Sequence, residues 1–250
     1  MKKGNSADNL FSLPWLLDFG MNSYYLYPEI TAAGYIRPEP GFFYFTCKSN
    51  QFHVRLRHNQ ISKLMDRKII EPKQGIILIS EPSLQDYYFR QSVVLLAEHS
   101  REGTFGVIIN KPIEMRLPEI FGDLKDFDFK VYLGGPVKTD SVFFIHTLDD
   151  INGSLKIMKG LYWGGDIATI KSCIRKGLIG ENHIRFFVGY SGWNPDQLER
   201  EISENSWVLS HTTAREVIDS KPELLWSNYL KHMGQDYAIW ANYPPDLTLN

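Results

Sequence analysis

Ile184-Arg185-Phe186-Phe187-Val188-Gly189-Tyr190-Ser191-Gly192-Trp193-Asn194-Pro195-Asp196-Gln197-Leu198 joins an apolar run, a glycine-bracketed turn and a helix start. The run is short, β-branched and aromatic, so it reads as a buried strand, and it ends at a glycine that can take a backbone conformation closed to other residues. Asn194 is placed to cap the helix and Pro195 suits its first position. Gln197 stands three residues after the cap, where its side chain reaches back to the cap N–H. Trp193 and Leu198 occupy the two positions of a hydrophobic staple.

Upstream, the punctuation is that of hairpins. Gly75 to Ser80 reads as a buried strand stopped by Glu81-Pro82, and Ser92 to Ala97 as a second. A short link through Gly103 leads to a third, Phe105 to Asn110, closed by Lys111-Pro112, so the second and third strands are expected to pair antiparallel. Leu117 to Phe121 is a short helical segment. Val131-Tyr132-Leu133 enters a forced turn at Gly134-Gly135-Pro136, and Ser141 to His146 is a further strand. Leu155 to Leu161 holds one short strand. Asp166 then caps a helix with Ile167, Ile170 and Ile174 on one face and Gly177 at its end. Downstream of the opening stretch, the helix ends near Asn205 and Trp207-Val208-Leu209 is a short strand. Ser220-Lys221-Pro222-Glu223 has capping-box spacing before an apolar stripe of Trp226, Leu230 and Met233. Hairpin-linked strands first and helices later predict an α+β fold.

A chain of 250 residues with 43% hydrophobic and 22% charged residues has ordinary globular composition. A net charge of −2 argues against a protein built to coat nucleic acid or an anionic membrane, since both need a basic footprint. Two cysteines, Cys47 and Cys173, are too few for a disulfide scaffold or a thiolate zinc site and read as reduced thiols in a cytoplasm. The longest apolar runs fall far short of the roughly 20 residues that span a bilayer. Lys2, Lys3 and the apolar Leu10 to Leu17 outline a secretion signal, but Pro14 interrupts it and Asp18 follows at once.

Residues 1 to 73 differ from the rest: ten Lys and Arg against six acidic residues give +4, leaving −6 for the remainder of a chain of net −2. Rich in aromatics and proline without sustained periodicity, residues 1–64 are expected to be a poorly structured extension, with Met65 as the plain candidate for the natural start. A basic arm from Arg55 to Lys73 that binds an anionic partner is the functional alternative.

The ordered set Gly75 to Pro82, Phe89 to Leu96, Gly106 to Pro112, Gly134-Gly135-Pro136-Val137 and Gly189 to Trp193, with Gln197-Leu198 and Trp207, resembles the bacterial YqgE/AlgH family. The match runs from about residue 66 to the C-terminus, so residues 65–250 are expected to form the family domain. The resemblance implies a cytoplasmic α+β domain of coiled, branching, mostly antiparallel sheets with several helices packed on them, and a family whose biochemical activity is not established. One member was named for a regulatory role in alginate production, which makes transcriptional regulation an inherited label.

Tests for chemistry are mostly negative. A nucleophile elbow needs Gly-x-Ser-x-Gly, whereas Trp193 stands two residues after Ser191. Asn194, Pro195 and Asp196 oppose an anion at the helix start, and no Gly-x-Gly-x-x-Gly or Gly-Lys-Ser/Thr pattern signals a nucleotide cofactor. No His or Cys spacing gives metal ligands, so neither a cofactor nor a metal is expected. The main domain, being acidic, lacks the signature of a nucleic-acid binder, no membrane association is expected, and the partner is left unidentified, with a protein as one candidate. Structurally, the marked glycines supply turn geometry, Asn110 bridges a turn, and Trp193 and Trp207 anchor the core. The functional alternative places Arg90, Asn110, Gly134, Gly135, Tyr190, Ser191 and Trp193 around one pocket. A non-catalytic binding or regulatory protein is the expected function, with a hydrolase or small-ligand enzyme using Ser191 as one alternative and a transcription-linked regulator as the other.

Overall fold

The computed structural model describes residues 33–39, 42–47, 53–57, 70–82, 84, 86–238 and 240–242, and the chain divides into two compact units, 1–69 and 70–250. In the first unit, β1 (Ala33–Glu39), β2 (Phe42–Cys47) and β3 (His53–Arg57) form an antiparallel meander. Met65 and most of the basic arm lie outside the described residues.

The second unit runs β4 (Ile77–Ser80), β5 (Val93–Ser100), β6 (Gly103–Ile108), β7 (Pro112–Arg116), α1 (Leu117–Ile120), β8 (Lys130–Leu133), β9 (Val137–His146), β10 (Leu155–Met158) and β11 (Leu161–Trp163). It continues with α2 (Ile167–Arg175), β12 (Ile184–Trp193), α3 (Gln197–Ser203), β13 (Trp207–Ser210), α4 (Ala214–Asp219), α5 (Pro222–His232) and α6 (Gln235–Ala238). Ten strands form one sheet in the order β10-β11-β9-β12-β6-β5-β4-β13, with β8 beside β12 and β7 beside β8. All pairs are antiparallel except β8 with β12. The fold is α+β.

Both faces of this sheet are buried, which explains why its strands read as continuous apolar runs rather than alternating ones. Ile77, Ile79, Val93, Leu95, Val107, Ile145 and Phe187 share a central cluster with residues of α4 and α5. Their sequence neighbours Ile76, Leu78, Val94, Leu96 and Ile108 face the opposite way, against Leu198 and Ile202 of α3. A third cluster packs Val131, Phe144, Ile184 and Phe186 against Ile170 and Ile174 of α2. Among the described strands, β12 alone places side chains in all three, through Phe187, Phe186 and Trp193. Gln74 donates to the carbonyls of Ala97 on β5 and Lys156 on β10, both at 2.9 Å, and so ties together strands far apart in the sheet order.

The expected turn at Gly189 to Trp193 is instead strand, because β12 continues through it with a bulge between Val188 and Tyr190. Gly189, at φ 70°, absorbs the bulge. The following helix starts at Gln197, not at Pro195: Asp196 adopts φ 60° and turns the chain first. The reach-back of the Gln197 side chain to the Asn194 N–H is present at 3.0 Å. Trp193 and Leu198 share one apolar cluster, but with Asp196 at the cap they do not hold the two positions of a staple. Asp166 caps α2 as expected, accepting from Ala168 and Thr169. The capping box expected at Ser220 to Glu223 is not made, since Lys221 caps α5 without a side-chain bond. Thr213 and Glu216 form one at α4. Leu155 to Leu161 belongs to a hairpin of two strands, β10 and β11, rather than to one.

A single carboxylate ties the end of β12 to β13. Glu201 accepts the indole N–H of both Trp193 and Trp207, each at 2.8 Å, and the Gln197 amide at 2.9 Å. The two indoles meet edge-on at 6.1 Å. Glu201→Ala leaves two indole donors unpaired and is expected to cost about 2–3 kcal/mol; urea unfolding of the variant and the parent checks this, and a loss below about 0.5 kcal/mol would show that the carboxylate is dispensable.

Candidate functional site

The expected pocket residues fall into two groups around the middle of β12. On one edge β12 pairs with β9 from Ile184 to Tyr190. On the other it pairs with β8 over Phe186 to Val188 and then with β6 over Ser191 to Trp193. Gly134, just past β8, sits where the partner changes. Its N–H donates to Val188 at 2.8 Å, and its carbonyl accepts from the Ile108 N–H at 2.9 Å and the Ser191 hydroxyl at 3.0 Å. A Cβ on Gly134 would overlap the Gly189 carbonyl, and one on Gly135 would overlap Ser191 Oγ and the Tyr190 carbonyl. Gly134, Gly135, Tyr190 and Ser191 thus meet backbone to backbone, with Ser191 fully buried. The Tyr190 ring packs edge-on against Phe105 and Phe143.

Asn110 bridges a turn as expected. Its Oδ1 accepts from the Val93 N–H at 2.8 Å and its Nδ2 donates to the Gln91 carbonyl at 2.9 Å. Arg90 lies in that same turn, which Asp86 organises by accepting from the N–H groups of Tyr88 and Phe89. Trp193 points into the apolar cluster with Phe89 and Trp207.

No described histidine hydrogen-bonds Ser191. His146 Nε2 lies 2.9 Å from the Gly164 carbonyl and 3.2 Å from Ser154 Oγ. A contact with a carbonyl requires that nitrogen to carry its proton, so it is not a base toward Ser154. His99 bonds Thr104 at 2.7 Å, His183 accepts from the Gly180 N–H, and His232 contacts the Asn228 carbonyl. Among the described residues there is no group of three or more His, Cys, Asp or Glu able to hold a metal ion, and no helix long and apolar enough to cross a membrane.

Two cations missed in the sequence stand out. Lys111 donates to the Tyr88 carbonyl at 2.6 Å. Burial, aided by the nearby positive charge of Arg90 and opposed by Asp86, pushes its pKa down to about 8. Arg185 lies within the apolar first half of β12, only 4% exposed. Its guanidinium donates to the carbonyls of Ile109 at 2.8 Å, Ile218 at 2.9 Å and Ser220 at 3.0 Å, and stacks 4.9 Å from the Tyr132 ring centroid. A charged residue inside an otherwise apolar run was the signal available in the sequence. Outside Arg185 opens a cleft of about 700 Å³ between β8, β12 and the start of α5.

This is an α+β protein organised on one doubly buried, partner-switching strand. A model of the AlgH-like family, DUF179, matches residues 77–238. The chain is 40% identical to a protein of Parabacteroides distasonis carrying the family name UPF0301, over 77% of this chain and 98% of that one. The solution structure of the AlgH protein from Pseudomonas aeruginosa matches with a TM-score of 0.56 at 27% identity, covering 71% of this chain and 98% of that one. A crystal structure of protein DIP2367 from Corynebacterium diphtheriae shares the fold, with a TM-score of 0.57 at 21% identity over 70% of this chain and 95% of that one. The chain belongs to the AlgH-like family.

Two outcomes test this geometry. Ser191→Ala removes one neutral hydrogen bond while the Gly134 carbonyl keeps Ile108, and is expected to cost about 1 kcal/mol. Gly134→Ala forces a methyl into main chain and is expected to cost about 3 kcal/mol or more. Chemical denaturation of both variants measures the contrast, and equal losses would contradict the close contact. Lys111 gives a pH signature. Its native pKa of about 8 lies below the ordinary 10.5, so between those values the unfolded chain binds more protons and native stability rises with pH. The stability of the parent relative to Lys111→Met should therefore increase from about pH 8 to pH 10 and stay flat below, as read by urea titration; a constant difference would show that the amine is not desolvated.

Proposed function

We propose that this protein is a cytoplasmic, non-catalytic binding protein with a regulatory role, its family domain spanning residues 65–250 and residues 1–64 forming an extension outside it. The observation that carries the reading is the Ser191 hydroxyl. It is fully buried and donates to the Gly134 carbonyl, so the most reactive-looking group of the marked stretch serves as a backbone tie. A serine nucleophile needs its proton taken by a base, and here that proton is committed to a main-chain acceptor. Gly134, Gly135 and Tyr190 complete this junction, while Arg90, Asn110 and Trp193 secure the flanking turn and core.

The domain assignment is supported by a family match that begins at residue 77 and by a relative covered over 98% of its length by 77% of this chain. The coiled, branching form of the sheet is supported by the change of partner along β12 and by Gln74 linking β5 to β10. Regulation rests on the family resemblance, and a protein partner remains the proposed target.

Replacing the chromosomal copy with Ser191→Ala is expected to leave the phenotype of the parent intact wherever deletion of the whole chain produces one. Loss of function with normal protein levels would overturn the non-catalytic reading and restore the hydrolase.

A further inference from the structure

The apolar face of the sheet runs out beyond its full cover. Phe105 on β6, Tyr190 on β12, Phe143 on β9 and Trp163 on β11 belong to four consecutive strands and pack on the central cluster. Along their strands they stand two residues, or three across the β12 bulge, from the fully buried Val107, Phe187, Ile145 and Leu161. The four rings touch one another in turn. Trp163 stacks on Phe143 at 5.5 Å and meets Phe105 edge-on at 5.4 Å, while Tyr190 meets Phe143 at 5.4 Å and Phe105 at 6.2 Å. All four are only half-buried. Gly192, next on that face of β12, is exposed and lays no side chain over them. Contiguous aromatic rings left half-open mark a surface that another segment covers.

The last described elements lie against the same cluster. Tyr237 of α6, and Trp240 and Ala241 of the 3-10 turn that follows it (Trp240–Asn242), pack on it. Next in the sequence come Tyr243-Pro244-Pro245-Asp246-Leu247-Thr248-Leu249-Asn250, outside the described residues. Their order alternates. Tyr243, Pro245, Leu247 and Leu249 are apolar, whereas Asp246, Thr248 and Asn250 are polar, the pattern of an extended segment with one buried side. Adjacent prolines favour extension and remove two N–H donors, so the segment suits the face of a sheet rather than a ladder at its edge. At about 3.3 Å per residue, residues 243–250 reach about 26 Å. The three strand spacings from β6 to β11 come to about 14 Å.

We propose that residues 243–250 form a strap across this aromatic face, with the apolar side of the segment against Phe105, Tyr190, Phe143 and Trp163. Proline and leucine side chains match ring faces, as in the aromatic-lined grooves that take proline-rich segments. The short tether from Asn242 holds the strap at an effective concentration in the millimolar range, which favours this occupant over a second copy of the chain. The strap covers Tyr190, the ring at the centre of the marked stretch. It holds whether or not Ser191 is catalytic, and so stands apart from the reading above.

The test is isotope-edited NOE spectroscopy of the full chain. Cross-peaks from the Leu247 and Leu249 methyls to the rings of Trp163 or Phe143 are expected, and their absence overturns the strap. Filtered spectra of a mixture of labelled and unlabelled chains should show none of these cross-peaks between molecules; finding them there assigns the face to a second copy and overturns the intramolecular strap. Hydroxyl-radical footprinting of the parent and of Leu247→Asp/Leu249→Asp gives an independent readout. Oxidation at Trp163 and Tyr190 scales with the fraction of chains whose strap is lifted, and is expected to rise about tenfold in the variant while the buried Trp226 of α5 keeps its slow rate. Equal rates at Trp163 and Tyr190 in the two proteins overturn the proposal. The NOE measurement needs no substitution and decides alone if the variant unfolds.

Discussion

The rest of the second unit depends on a contact too close for a side chain. At Gly134 the backbone of β8 approaches β12 so nearly that a Cβ would overlap the Gly189 carbonyl. The single residue Gly134 then serves both partners, donating to Val188 and accepting from Ile108 and Ser191. This lets β12 exchange β8 for β6 along one edge without leaving buried main-chain groups unpaired, a defect that would cost roughly 1–3 kcal/mol each. Because β12 passes that junction intact, its two halves reach different apolar clusters, with Phe186 and Phe187 before it and Trp193 beyond.

How far the fold was legible in the sequence follows from where the information lies. The β5–β6 hairpin and helix α2 are set by neighbours in the chain, Gly103 at the turn and Asp166 at the cap, and both were readable. The course of Gly189 to Trp193 was not. Two glycines in five residues are turn chemistry by any local rule, and the facing residues Val137, Gly106, Phe105 and Thr104, distant in the chain, hold that segment extended. Strand β7 was hidden for the same reason, since its partner β8 arrives 14 residues or more later in the chain. The α3 start moved because Asp196 turns left-handed while Glu201, about one turn into the helix, holds the Trp193 indole.

The site was less legible than the fold. Ser191 drew the eye because serine between glycines suggests an exposed nucleophile, and burial reverses that meaning. Arg185 was passed over because the apolar residues around it define the strand. Burial lowers its pKa, with Tyr132, Asp219 and Glu181 opposing the shift, and an arginine keeps its charge in such surroundings. The same strand therefore carries a silent hydroxyl at its centre and a buried cation near its start.

The central claim is that the Gly134 junction is a fixed structural seam rather than a working site. Native-state hydrogen exchange of the Ile108 and Gly134 amides tests it most directly. Both should open only with global unfolding, at the same free energy as the amides of Phe186 and Phe187. Exchange of Ile108 and Gly134 through a separate, lower-energy opening would contradict the account.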